Sequence, residues 1–251
     1  MQIKNIDYLS FSVDIANYDK LRNSDMFQNF AMAKKETSEN TLQGKEEKAE
    51  IEMQDMYFEV LGNGAPGFSW ILHNTEYEVK IAKYRSEHDE FFPLMIRIKS
   101  ECLWAYGVMG AYDRICRWIE MVFGKIIDNK VSRVDMACHT DDFQFTIIDI
   151  NKFKGRYRKS NIRTNNRKCT GFEFGVRTAD IFCRIYNKTK EVLEKLDKVW
   201  FLDIWEAQGM KLSEVWNIEY ELKRDFFKDR SIETVEDFFS CMDSICRYLI
   251  R

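Results

Sequence analysis

The chain has 251 residues, 45% of them apolar and 14% aromatic, with only two prolines, which is enough material for a sizeable core in one domain or two small ones. The seven cysteines are scattered without a CxxC pair, which excludes a disulfide framework or zinc knuckle and suits reduced thiols in a cytoplasmic protein. No apolar run is long enough for a membrane span, Met1–Asn5 lacks a signal-peptide core, and a net charge of −3 runs against the basic balance usual in DNA-binding proteins.

In chain order, Ile6–Val13 alternates like a strand. Lys34–Lys48 is polar almost throughout and reads as a loop, with a solvated helix as the competing reading. Met56–Leu61 and Phe68–Leu72 read as strands around a Gly-rich turn, and Tyr77–Ala82 follows a turn at His73–Thr75, giving a hairpin. His73 in that turn and His88 in an acidic loop read as surface residues, whereas Trp104 has a strand-like context. After a strand at Leu94–Lys99 comes the clearest helix, Ala105–Phe123, with Met109, Tyr112, Ile115, Ile119 and Phe123 in its apolar stripe and Gly124 as C-cap.

Val131–His139 is a strand with Arg133, Asp135, Ala137 and His139 on one face. Asp and His there are suitable ligands for a divalent cation. Lys152–Lys168 carries eight Lys or Arg and no acid, which locally answers the charge objection. It reads as a loop in which Lys154, Arg156, Arg158, Lys159, Arg163, Arg167 and Lys168 track phosphates, with Phe153 and Tyr157 as platforms for unstacked bases. A solvated basic loop is the bland alternative.

Cys183–Glu191 reads as a strand entering a helix, with Arg184, Tyr186 and Lys188 on one face. Such a phenol is a half-buried tyrosine with snorkelling neighbours, or a nucleophile whose flanking cations hold a phosphate and favour the phenolate. Thr189–Trp200 reads as a helix N-capped by Thr189, with Glu191 near its positive end. Val215–Lys223 is a strand presenting Asn217, Glu219, Glu221 and Lys223 together, and Glu233–Ile250 is a closing helix. These elements predict an α+β fold, a central mostly antiparallel sheet with helices packed on one face. Strands and a long helix in each half are compatible with a duplicated α+β plan. The expected division is 1–125, with a DNA-recognition role, and 126–251, the catalytic half; one continuous domain is the alternative.

Ser132-Arg133-Val134-Asp135, Arg184-Ile185-Tyr186-Asn187-Lys188 with Glu191, and Trp216-Asn217-Ile218-Glu219-Tyr220-Glu221-Leu222 resemble the three signature blocks of the Rep_trans family. These are rolling-circle replication initiators of plasmids, with relatives among relaxases of conjugative elements. Gly171–Val176 stands where that family carries a strand ending in Gly. The resemblance covers roughly the second half of the chain. It departs from the family at Asn217, commonly Arg, and at His139, commonly Asp.

The resemblance implies a metal-dependent transesterase that nicks and religates DNA at an origin, single-stranded or supercoiled. Tyr186 would attack, leaving a 5′-phosphotyrosyl link and a free 3′-OH, with Arg184 and Lys188 stabilising the transition state. Mg²⁺ or Mn²⁺ would be held by Asp135, His139 and Glu219, with Glu221. Arg133 and Lys190 join the basic segment as DNA contacts. A helicase and a second copy of the chain are conceivable partners. Two other readings use the same residues: an origin- or operator-binding protein without cleavage, and a hydrolytic nuclease with Asp135, Glu221 and Lys223 in a D…(D/E)xK pattern.

Overall fold

The computed structural model describes residues 1–85 and 91–249, so His88 and Ile250, the last residue of the expected closing helix, lie outside the described residues. The chain runs β1 (Gln2–Ile15), α1 (Asp25–Leu42), β2 (Glu50–Met53), β3 (Met56–Val60), β4 (Trp70–His73), β5 (Tyr77–Ile81), β6 (Leu94–Ile98), α2 (Ser100–Phe123) and β7 (Ile126–Thr140). It continues through β8 (Ser160–Asn165), β9 (Lys168–Phe174), β10 (Ile181–Asn187), α3 (Lys188–Lys195), α4 (Trp200–Ala207), β11 (Trp216–Lys223), α5 (Arg224–Lys228) and α6 (Val235–Leu249). The class is α+β with antiparallel pairing, as expected. Two compact units divide the chain: Met1–Asp7 with Arg133–Arg230, and Tyr8–Ser132 with Ser231–Arg251.

In the second of these units the strand order is β2-β3-β4-β5-β6-β1. Alternation places Tyr77, Val79 and Ile81 beside Leu94, Ile96 and Ile98, all buried. Helix α1 takes in Lys34–Leu42 of the expected loop, the competing helical reading, while residues 43–48 lie outside any helix. Ser24 caps it, its hydroxyl accepting from Phe27 N at 3.4 Å, and Phe27, Phe30, Ala33 and Thr37 form its buried stripe. Thr37 ties that helix to the sheet, donating to the Val60 carbonyl at 2.9 Å and accepting from Ala49 N at 2.9 Å. The window itself has few apolar residues and is held by polar ties to residues outside it, which is why periodicity alone read it as loop. Trp104 belongs to α2, not to a strand, and His73 ends β4 rather than lying in a turn.

In the other unit the order is β7-β11-β10-β9-β8. One face of these strands buries Phe172, Phe174, Cys183, Ile185 and Trp216. Phe153 and Tyr157 pack on that same cluster, Phe153 at 5.2 Å from both Phe172 and Phe174 and Tyr157 at 4.8 Å from Phe174. They therefore anchor the basic segment on the apolar face, because aromatic area beside an apolar sheet is better buried than exposed. Nor is 152–168 one loop, since Ser160–Asn165 is the edge strand β8.

The helix expected over Thr189–Trp200 ends early: α3 closes at Lys195, Leu196 and Lys198 take left-handed conformations (φ 50° and 56°), and α4 begins only at Trp200. Asn187, not Thr189, is the cap, accepting from Lys190 N at 2.8 Å. Thr189 instead fastens the chain before β11, donating to the Leu212 carbonyl at 2.8 Å and accepting from Val215 N at 2.9 Å.

Candidate active site

The second face of those strands collects the polar residues, and strand register explains why. Residues directly opposite in antiparallel strands project to the same side. One row runs Arg163–Gly171–Tyr186–Asn217–His139 across β8, β9, β10, β11 and β7. The next runs Asn161–Glu173–Arg184–Glu219–Ala137, and beyond it Glu221 faces Asp135. Asp135, Glu219, Glu221, His139 and Tyr186 thus share one face, as alternation predicts.

Tyr186 is the hub. Its hydroxyl donates to Glu219 Oε2 at 3.0 Å and accepts from Asn217 Nδ2 at 3.0 Å and Lys188 Nζ at 3.3 Å. Asn217 Nδ2 also reaches Glu219 Oε2 at 3.1 Å, and Arg184 binds Glu219 Oε1. Lys188, itself buried, is balanced by Glu191 at 2.7 Å, which Lys195 approaches at 2.9 Å. Burial alone would raise the Glu191 carboxyl, but the two lysines outweigh it and hold it at about 2.

The expectation that flanking cations favour the phenolate is reversed. Burial pushes the Tyr186 phenol well above its usual 10.0, and the negative charges of Glu219 and Glu191 push the same way. The neutral phenol is the resting form, and Glu219 Oε2 is the carboxylate oxygen that accepts its hydrogen bond.

The expected ligand set does not converge. Among the described residues, no three or more His, Cys, Asp or Glu side chains form a group that could hold an ion. His139 is fully buried, accepts from Trp205 Nε1 on Nδ1 at 3.0 Å, and packs edge-on against Phe201 at 4.8 Å. Burial, aided by Lys188, lowers it to about 3, so it stays neutral. Both Glu219 oxygens are committed to the tyrosine cluster. Asp135 and Glu221 remain as neighbouring hard oxygen donors, bridged by Arg133 at 2.7 and 2.9 Å. Burial, then the like charges of Glu219 and Glu221, raises Asp135 to about 6 despite Arg133. A crowded, desolvated carboxylate pair has the chemistry for a divalent cation.

The basic residues Lys154, Arg156, Arg158, Lys159, Arg163, Arg167 and Lys168 are exposed. Arg133 differs, being engaged by the two carboxylates, and Lys190 is 3.5 Å from Glu194. Two residues escaped the sequence reading. Asn217, which read as a departure, is the amide that donates to both the Tyr186 hydroxyl and Glu219 Oε2; its spacing two before Glu219 was the available signal. Gly171 was noted only as the start of the Gly171–Val176 segment, with no role of its own. A Cβ there would fall 2.7 Å from the Ile185 carbonyl and 3.1 Å from Tyr186 Cβ, so only glycine lets β9 pass so close to the tyrosine.

No family model matches the chain, and no curated protein matches it. A solved structure described as the rolling circle replication initiator protein from Geobacillus stearothermophilus matches with 14% identity and a TM-score of 0.46, covering 92% of this chain and 79% of that one. At that score the likeness carries no weight for the fold or the chemistry. Among the described residues, no helix is long and apolar enough to cross a membrane.

Proposed function

We propose that this protein is a DNA-nicking and religating tyrosine transesterase of the rolling-circle initiator or relaxase type. The observation that carries the reading is the Tyr186 hydroxyl held between a carboxylate acceptor, Glu219, and two donors, Asn217 and Lys188. A nucleophile with an adjacent base and an orienting third group is the arrangement that activates a weak nucleophile. The resemblance of the three sequence blocks supplies DNA as substrate.

In this mechanism the Tyr186 oxygen bonds to phosphorus as its proton passes to Glu219 Oε2. The P–O3′ bond breaks, and the 3′ oxygen leaves with its electron pair and takes a proton from water. A 5′-phosphotyrosyl link and a free 3′-OH result, and the reverse step religates. Arg184 and Lys188 place positive charge beside the phosphoryl oxygens, where it stabilises the developing charge. Asp135 and Glu221 are the residues that would hold Mg²⁺ or Mn²⁺, which when bound polarises the scissile phosphate.

Labelled single-stranded or supercoiled origin DNA, incubated with Mg²⁺ or Mn²⁺ and run on a denaturing gel, should give a covalent protein–DNA band that Tyr186→Phe abolishes. Cutting without the band would favour the hydrolytic reading, for which Lys223 Nζ at 3.3 Å from Glu221 and Asp135 opposite Glu221 are the supporting contacts. Sequence-specific binding with no metal-dependent cutting would leave the non-enzymatic origin-binding reading.

A further inference from the structure

In the row Arg163–Gly171–Tyr186, glycine lets β9 lie directly against the tyrosine strand, because the Ile185 carbonyl and Tyr186 Cβ occupy the place a Cβ would take. Beside Tyr186 lies a cleft of about 210 Å³ bordered by Arg163, Asn165, Glu173, Arg184, Tyr186 and Lys190. It is smaller than the roughly 300–1,000 Å³ of sites for drug-sized ligands, and suits a single planar ring system.

Its outer wall is the edge strand β8, every residue of which is exposed. Two residues, Asn166 and Arg167, connect β8 to β9, both with positive φ (49° and 63°). Such a primed turn closes the hairpin, and a register shift between Arg163 and Thr164 then places Arg163, not Ile162, opposite Gly171 in the tyrosine row. By that register Asn161 and Arg163 project towards the tyrosine row, while Ile162 opposes Phe172 on the apolar side. In this structure Arg163 is paired with Glu173, with the arginine side chain 56% exposed and therefore exchangeable.

We propose that this cleft holds one unstacked nucleotide of single-stranded DNA next to the phosphate that Tyr186 attacks, and that Arg163, Asn165 and Glu173 read its base. The inference rests on the reading of Tyr186 as the DNA nucleophile. A guanidinium fork, an amide that both donates and accepts, and a carboxylate acceptor are the groups that discriminate base edges. Arginine planes also stack on splayed bases. A base still paired in a duplex has its edge occupied and cannot enter a recess of this size.

The test is adduct formation on a pool of single-stranded oligonucleotides randomised around the cleavage site, with sequencing of the DNA joined to protein. The wild-type protein should show a base preference at one position flanking the scissile phosphate. Asn165→Ala and, separately, Arg163→Ala should each reduce that preference about tenfold, leaving preferences at other positions in place. Variants that retain the wild-type preference overturn the proposal while leaving the nicking reading intact, as does a wild-type protein indifferent to both flanking positions. A wild-type protein that joins no oligonucleotide overturns the nicking reading, and the base-reading cleft falls with it.

Discussion

The two faces of β7, β11, β10 and β9 are built from alternate residues of the same segments, yet they are held together by different forces. On one face Phe172, Phe174, Ile185 and Trp216 pack with rings from the preceding segment, where burial of apolar area supplies the stability. On the other, Asp135, Glu219, Glu221 and Lys188 are buried beside Arg133, Arg184 and Tyr186. Buried ion pairs roughly break even against desolvation, so this face adds little net stability. A sheet whose apolar side already holds its strands can devote the opposite side to charge.

The largest expected effect comes from breaking the polar face alone. Tyr186→Phe should lower covalent-adduct formation by at least about a thousandfold, the order seen when a catalytic group is deleted, while denaturant midpoints shift little. A collapse of the fold in that variant would show the polar face to be structural.

Breaking the apolar face should do the opposite. Phe172→Ala should cost about 3–5 kcal/mol by urea denaturation, the range for deleting a buried aromatic ring. A loss below about 1 kcal/mol would mean that the cluster relaxes around the hole and that stability lies elsewhere.

The basic segment sharpens the comparison, because it is anchored on the apolar face yet reads as a DNA contact. Arg156, Arg158 and Arg167 together changed to Ala should lower the slope of log affinity against log salt by roughly 2 on single-stranded DNA, at about 0.7 per phosphate contact. An unchanged slope would assign these exposed arginines to solvent.

The smallest effect is a change in pH dependence. His139 has its pKa lowered from 6.5 to about 3 by burial, so below about pH 6.5 the unfolded chain gains a proton that the folded chain refuses. Its contribution is complete above that pH and is lost as pH falls, by up to roughly 1.4 kcal/mol per unit. Asp135, raised from 3.8 to about 6, acts in the opposite sense between those values: the folded chain keeps a proton that the unfolded chain loses, so stability falls as pH rises. The two offset one another from about pH 4 to 6. In His139→Phe, stability measured across that window should fall with rising pH; a profile parallel to wild type would place the titrating charge elsewhere.

Much of this was legible in sequence because the period-2 rule is local. The faces of Val131–His139, Cys183–Lys188 and Val215–Lys223 needed only alternation, and register then brought them together. Partner choice was not legible. Asp135 and His139 share a face but are two pleat repeats apart, and His139 was claimed by Trp205 from a helix that no strand pattern announces. Phe153 and Tyr157 showed the same limit: beside so many cations they looked like stacking platforms, and the sheet supplied apolar area that the local sequence could not reveal. The left-handed residues Leu196 and Lys198, which end the expected helix early, are neither glycine nor asparagine and gave no warning.

The unit that carries Tyr186 is discontinuous in the chain, joining Met1–Asp7 to Arg133–Arg230. Asp7, for example, lies 3.8 Å from Lys198. During synthesis its first seven residues leave the ribosome long before the segment they join, so this unit closes by contacts of very large sequence separation, a slow class of folding event. A nascent chain arrested before residue 200 would therefore lack β11, which stands between β7 and β10. Expression of Arg133–Arg230 alone would likewise lack Met1–Asp7, and supplying those residues as a separate peptide or by circular permutation is the direct way to recover the unit by itself.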